Sequence, residues 1–144
     1  MDARKHGVHV VTAAACQGDN DSFWSHEWLK HGTCAGESPN MGTEFDFFNT
    51  TLGIWKQLDI MGVLEARGIY ASNSQSYKVG DIVDAVKAKL GSSPVIGCDN
   101  GDVTTMAICF DRSLEVGYCP SDLTGCDSDS YVRLPSSSDY FVRS

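Results

Sequence analysis

An α+β fold is the expectation, and two observations lead to it. Through the first two thirds of the chain, apolar residues recur at the three- and four-residue steps of helices. After Pro94 the pattern changes to short runs, Val95–Cys98, Thr105–Asp111 and Glu115–Cys119, with strand-like composition and Asp, Asn and Gly turns between them. Helices first and strands later predict helices packed on a central antiparallel sheet rather than alternating units. The 144 residues suit one domain spanning 1–144, large enough to bury about 68–70% of its unfolded surface. Neither a linker nor an internal repeat divides it.

In chain order, residues 1–15 form a divergent opening segment with one apolar run, Val8–Ala15, too short to span a membrane. Arg4 and Lys5 precede it and Ala13–Ala15 are small, yet His9 and Thr12 interrupt it, so it does not read as a signal peptide. Asp19–Ser22 is a polar turn and cap feeding a helix over Phe23–Gly32, which Gly32 ends as a C′ glycine. Glu37–Gly42 is a loop broken by Pro39, Asn40 and Gly42. Thr43 caps an amphipathic helix whose apolar positions are Phe45, Phe48, Leu52, Trp55 and Leu58, weakened by about 1 kcal/mol at Gly53. A helical piece around Val63–Ala66 ends at Gly68. Ser72–Lys78 is polar and turn-rich. Val79–Leu90 is a further helix, with Ile82, Val83, Val86 and Leu90 on one face, Asp81, Asp84, Lys87 and Lys89 as a solvated face, and Gly91 beyond its end.

Charge narrows the function classes. A formal net charge of −8 and a pI near 4.7 argue against broad electrostatic gripping of nucleic acid, which wants a basic face. An enzyme making a few local phosphate contacts is compatible with it. Six cysteines, at 16, 34, 98, 109, 119 and 126, fit a disulfide framework and an oxidising compartment, and permit fifteen complete pairings among which spacing does not choose.

The stretch Phe-Trp-Ser-His-Glu-Trp-Leu-Lys-His-Gly-Thr-Cys, residues 23–34, carries the chemistry. On a helix His26 and Lys30 are an i,i+4 pair, as are Glu27 and His31. Residues 26 and 31 then lie about 140° apart, so the four project as one broad polar wall. Phe23, Trp24 and Trp28 follow helical spacing and can pin that wall to a core, which sets it apart from a purely solvated charge run. A zinc-protease reading fails, because that motif needs histidines at i and i+4 and position 30 is Lys.

This stretch resembles, nearly letter for letter, the second active-site segment of the ribonuclease T2 family, which includes the plant S-like and self-incompatibility ribonucleases. Cys98, Met106–Asp111, Tyr118–Pro120 and Gly125-Cys126 resemble that family's closing strands and disulfides, so the likeness runs over about residues 16–135. The resemblance implies a T2-like fold without its N-terminal strands, and disulfides Cys98–Cys126 and Cys109–Cys119. Cys16 and Cys34 look like cysteines whose usual partners lie earlier in full-length relatives. It also implies His31 as the catalytic base, Glu27 and Lys30 as stabilisers of the pentacovalent phosphate, His26 as the phosphate-binding histidine, and Phe23 as an aromatic holding one base.

Such chemistry suits the residues. A positioned base lets the RNA 2′-hydroxyl attack its own phosphorus and leave a 2′,3′-cyclic phosphate, and histidine alone has an unperturbed pKa fitted to both proton roles. No metal or cofactor is expected. The implied partner is single-stranded RNA, handled by a monomer away from membranes, in a secreted or vacuolar setting. The family's earlier segment, His-Gly-Leu-Trp-Pro, whose histidine donates the proton, has no counterpart in the sequence: His6-Gly7 shares two letters, followed by Val8-His9-Val10. Two readings therefore stand, an RNA-cleaving endoribonuclease and a catalytically silent, RNA-binding relative.

Overall fold

The computed structural model describes residues 20–136, apart from the side chains of Asn20, Asp21 and Phe23. The opening segment 1–15, with His6 and His9, and also Cys16 and Asp19, lies outside the described residues. Helix α1 (Asn20–Glu27) runs into a π-turn (Trp28–Gly32) and a short α2 (Thr33–Ala35). Then follow α3 (Glu44–Leu58), α4 (Ile60–Glu65), strand β1 (Ser72–Lys78), α5 (Val79–Leu90), β2 (Val95–Asp99), β3 (Asp102–Ala107) and β4 (Tyr131–Leu134). The α+β arrangement expected from the pattern is the one found.

Caps set the helix limits. Thr43 sits extended before α3, and its Oγ1 accepts the Asp46 N–H at 3.1 Å, satisfying a donor that the first turn leaves orphaned. Asp59 takes the left-handed conformation (φ 43°) between α3 and α4, and its Oδ1 accepts the Gly62 N–H at 3.3 Å. This cap lets α4 start at Ile60, three residues before the helical piece expected at Val63. Gly91 ends α5 at φ 78° and returns its N–H to the Lys87 carbonyl at 2.8 Å, the left-handed C-terminal stop that a glycine adopts without a Cβ clash.

The main core gathers Leu58, Ile60, Leu64 and Ile69 with Ile82 and Val86 of α5, Ile96 and Met106 of the β2–β3 pair, and Val132 and Leu134 of β4. The sheet order is β1-β4-β3-β2. Both outer pairs are antiparallel, with Tyr77 opposite Val132 and Ile96 opposite Met106. The centre is not antiparallel: β3 and β4 run parallel and meet at Asp102 and Arg133. There the Arg133 Nε donates to Asp102 Oδ1 at 2.6 Å, and the Arg133 N–H reaches the Gly101 carbonyl at 2.9 Å. Disulfides Cys98–Cys126 (Cα–Cα 5.9 Å) and Cys109–Cys119 (5.1 Å) close the C-terminal half in the pairing that the family resemblance implied.

Three expectations are corrected. Ser72–Lys78 is a strand, on the edge of the sheet, with Tyr77 against the core and a register shift after Ser72, whose Oγ accepts the Ser74 and Gln75 N–H groups. An edge strand needs little apolar surface, so its composition hides it. On α3 Phe47 and Leu58 are buried, with Ile54, Phe48 and Trp55 partly buried beside them, whereas Phe45 and Leu52 are 76% and 50% exposed. Both sets obey three- and four-residue spacing, and only packing separates them. Glu115–Cys119 is no strand; a single bridge joins Phe110 to Val116, and Gly117 N–H bonds the Cys109 carbonyl at 2.8 Å, which keeps the hairpin shape.

Candidate active site

The polar wall rests on a small second core, Ala35, Met41 and Phe47, bordered by Trp28, Phe48 and Leu114 and linked to the main core through Ile54. Trp24 meets Phe48 edge-on with ring centroids 4.4 Å apart, and Trp28 lies 5.8 Å from Phe47. Aromatic pairs of this kind contribute roughly 0.5–1.5 kcal/mol each beyond their buried area. The two tryptophans thus fix α1 and the π-turn across the N-terminal half of α3, as their spacing suggests. Around them, the loop after α2 folds back through Ser38 N–H to the Ala35 carbonyl, Thr50 Oγ1 bonds the Asn40 carbonyl, and Arg112 pairs with Glu37 at 3.1 Å.

Gly32 does not end the helix. Its backbone is right-handed helical (φ −67°, ψ −38°), and the chain continues to Ala35. Glycine is required for another reason: a Cβ there would overlap Trp28 Cε3 and lie 2.8 Å from Cζ3. The Trp28 ring lies against the Gly32 backbone, and Gly32 is buried. Trp28 and Gly32 are four apart, so this contact was open to sequence reading and was missed in favour of the C-cap. Thr33 N–H bonds the Trp28 carbonyl, five residues back, which is the π pattern. A π-turn carries residue i+5 round toward residue i, so the 140° separation of His26 and His31 reckoned from regular α geometry overstates their divergence.

The wall presents its groups unevenly. Glu27, the last residue of α1, and His31, on the π-turn, are brought together, with Glu27 Oε2 4.0 Å from His31 Nε2. Their side chains are 27% and 45% exposed, enough to meet a ligand from solution. His26 and Lys30 are exposed on the same segment. Phe23 lies in α1, but its side chain is outside the described residues. Cys34, on α2, is exposed and unpaired among the described residues. A hollow of about 570 Å³ lined by Asp59, Val63, Arg67, Ala85 and Lys89 among others opens at the C-terminal end of α3, the opposite end from Phe47 and Phe48. It takes no part in the wall.

An acid–base pair, an exposed ammonium and a second imidazole on one turn can accept a proton, support it, and neutralise a phosphoryl group. Comparison with known proteins places the chain. Residues 9–119 match the model of the Ribonuclease T2 family. The chain is 38% identical over 120 residues to ribonuclease DdI of Dictyostelium discoideum, covering 83% of this chain and 53% of that one. It is 35% identical over 107 residues to the extracellular ribonuclease LE of Solanum lycopersicum, covering 71% and 45%. Among solved structures, an RNase-related protein from Calystegia sepium superposes with a TM-score of 0.71 at 36% identity, over 88% of this chain and 60% of that one. The chain spans about half the length of the curated relatives it matches.

Proposed function

This chain belongs to the ribonuclease T2 family, and from that premise we propose that it is an RNA-cleaving endoribonuclease working by metal-independent transesterification. His31 takes the proton of the 2′-hydroxyl, whose oxygen attacks the adjacent phosphorus. Negative charge grows on the phosphoryl oxygens; Lys30 neutralises it, and Glu27 orients His31 and shares the proton load at the crowded phosphorus. His26 holds the phosphate, and Phe23 stacks a base, the usual way an unpaired base is held. The P–O5′ bond breaks, the 5′-oxygen leaves with its electron pair and takes a proton from water, and the 2′,3′-cyclic phosphate stays on the upstream fragment. DNA, without the nucleophile, is not cut. The enzyme serves RNA catabolism as a monomer in a secreted or vacuolar setting, in keeping with its two disulfides.

The observation that carries this reading is the Glu27–His31 pair at 4.0 Å, partly open to solvent where α1 runs into the π-turn backed by Trp28. The alternative reading is a catalytically silent, RNA-binding relative that keeps residues 23–34 and lacks a proton donor. One experiment separates them. The purified chain is given RNA and, separately, a ribonucleoside 3′-(4-nitrophenyl phosphate), whose leaving group needs no acid. Formation of 2′,3′-cyclic ends from RNA, lost in His31→Ala, supports the enzyme. Cleavage of the nitrophenyl ester alone, again lost in His31→Ala, shows the base at work without a donor. Retention of RNA with neither cleavage establishes the silent relative.

A further inference from the structure

Asn49, Thr50 and Thr51 form an Asn-X-Thr triplet on α3, the acceptor pattern for N-linked glycans. We propose that Asn49 is glycosylated and that the first sugar lies across Phe45 and Leu52. Three features of the structure converge on it. Asn49 is exposed, four residues after Phe45 and three before Leu52, so all three stand on one face of α3. Phe45 at 76% and Leu52 at 50% exposure give that face an apolar surface that the rest of the described chain leaves bare. The apolar face of a sugar ring fits such an aromatic surface. Gly53, next along this side, has nothing within 4 Å of where a Cβ would stand, so the ground beside Asn49 is open.

Thr51 supplies the independent observation. Its Oγ1 is buried and has no hydrogen-bond partner among the described residues. An unsatisfied buried hydroxyl opposes folding, and valine has the same shape without that burden. The hydroxyl makes no hydrogen bond within the described residues, and the third position of the acceptor triplet is where such a hydroxyl is required. Two disulfides suit an oxidising compartment, where such acceptors are used. In the transfer, the Asn49 Nδ2 forms a bond to the anomeric carbon of a lipid-diphosphate-linked oligosaccharide. The bond from that carbon to the diphosphate oxygen breaks with its electron pair, and the amide gives up one proton. Transfer precedes folding of α3, since the triplet must be drawn out to react. The inference is independent of the catalytic reading.

The test uses the full chain secreted from eukaryotic cells behind a cleavable leader. Enzymatic release of N-glycans leaves aspartate wherever a glycosylated asparagine stood, and peptide mapping reads position 49 separately from the other such triplet, Asn20-Asp21-Ser22. Position 49 is expected to convert, to stop converting in Thr51→Val, and to keep converting in Thr51→Ser. Thr51→Val is expected to melt no lower than the deglycosylated parent, which shows that the fold survives it. An unmodified Asn49 in the parent, or a modified one in Thr51→Val, overturns the site. For the cover, glycan release is expected to increase binding of a fluorescent apolar dye in the parent and not in the Phe45→Ser, Leu52→Ser double variant. Equal dye binding before and after release in the parent overturns it.

Discussion

The same substitution at two glycines should have opposite effects. Gly32 and Gly53 both have right-handed helical surroundings, so alanine at either gains up to about 1 kcal/mol of helix propensity. At Gly53 that gain is unopposed, because nothing lies within 4 Å of the added carbon. At Gly32 the added carbon overlaps Trp28 Cε3 and lies 2.8 Å from Cζ3, well inside the usual separation of roughly 3.5–4.0 Å between carbons. The indole must move, and it is held against Phe47 at 5.8 Å in the second core. Overpacking of this sort costs roughly 1–3 kcal/mol, which leaves Gly32→Ala up to about 2 kcal/mol less stable after a full propensity gain. Thermal unfolding should then fall by up to roughly 8 °C for Gly32→Ala and rise by up to roughly 5 °C for Gly53→Ala. Near-ultraviolet circular dichroism should report the displaced tryptophan only in the first. If Gly32→Ala melts at or above the parent with its aromatic signal unchanged, the account of Gly32 as the seat of the Trp28 ring is wrong.

Other outcomes follow from the same structure. His31→Ala should lower the rate of RNA transesterification by roughly 10²–10⁴-fold with RNA binding retained, measured by cyclic-phosphate ends and filter retention; equal loss of both would place His31 in binding instead. Removing Cys98–Cys126, which spans 28 residues, should cost roughly 3–4 kcal/mol in the chain-entropy account, against roughly 2–3 kcal/mol for the 10-residue Cys109–Cys119 loop. Denaturant titration of the two paired-serine variants checks the order. The Lys78 ammonium, 2.7 Å from Asp129, pulls that carboxyl below its ordinary range, and Asp129 in turn holds Lys78 above its own. The stabilisation from Asp129 is present above its unfolded pKa and fades as the pH drops through the lower folded value. That from Lys78 is present below its unfolded pKa and fades only in strongly alkaline solution. Asp129→Asn should therefore flatten the acid limb of the melting-temperature profile at low salt, slightly, because both groups are exposed.

How much was legible depends on whether the deciding contact is local. Thr43 before α3 and Gly91 after α5 act within four residues of themselves, and the chain shows both without folding. Glu27 and His31 could be paired from spacing alone, since four residues meet across a helical turn whether or not it is regular. The two disulfides came from resemblance, because spacing left fifteen pairings open. By contrast β1 is a strand only because Tyr131–Leu134, more than fifty residues on, lies beside it. On α3 two interleaved stripes have equal claim to the core, and the choice of Phe47 over Phe45 is made by Trp28 and Met41. The π-turn has no periodic signature in the sequence.

β4 has a consequence for the order of assembly. Among the described residues it is the last strand in chain order, yet it occupies an interior place, with β1 on one side and β3 on the other. A chain emerging from the ribosome can close the β2–β3 hairpin early, but the two halves of the sheet stay apart until Tyr131–Leu134 arrives. Translation halted before that point would release a product with two raw edges and the Ile82–Val86 face of α5 only partly covered, a natural substrate for chaperones. Joining the two halves of the sheet is thus a matter of the four residues Tyr131–Leu134 sliding between parts already made.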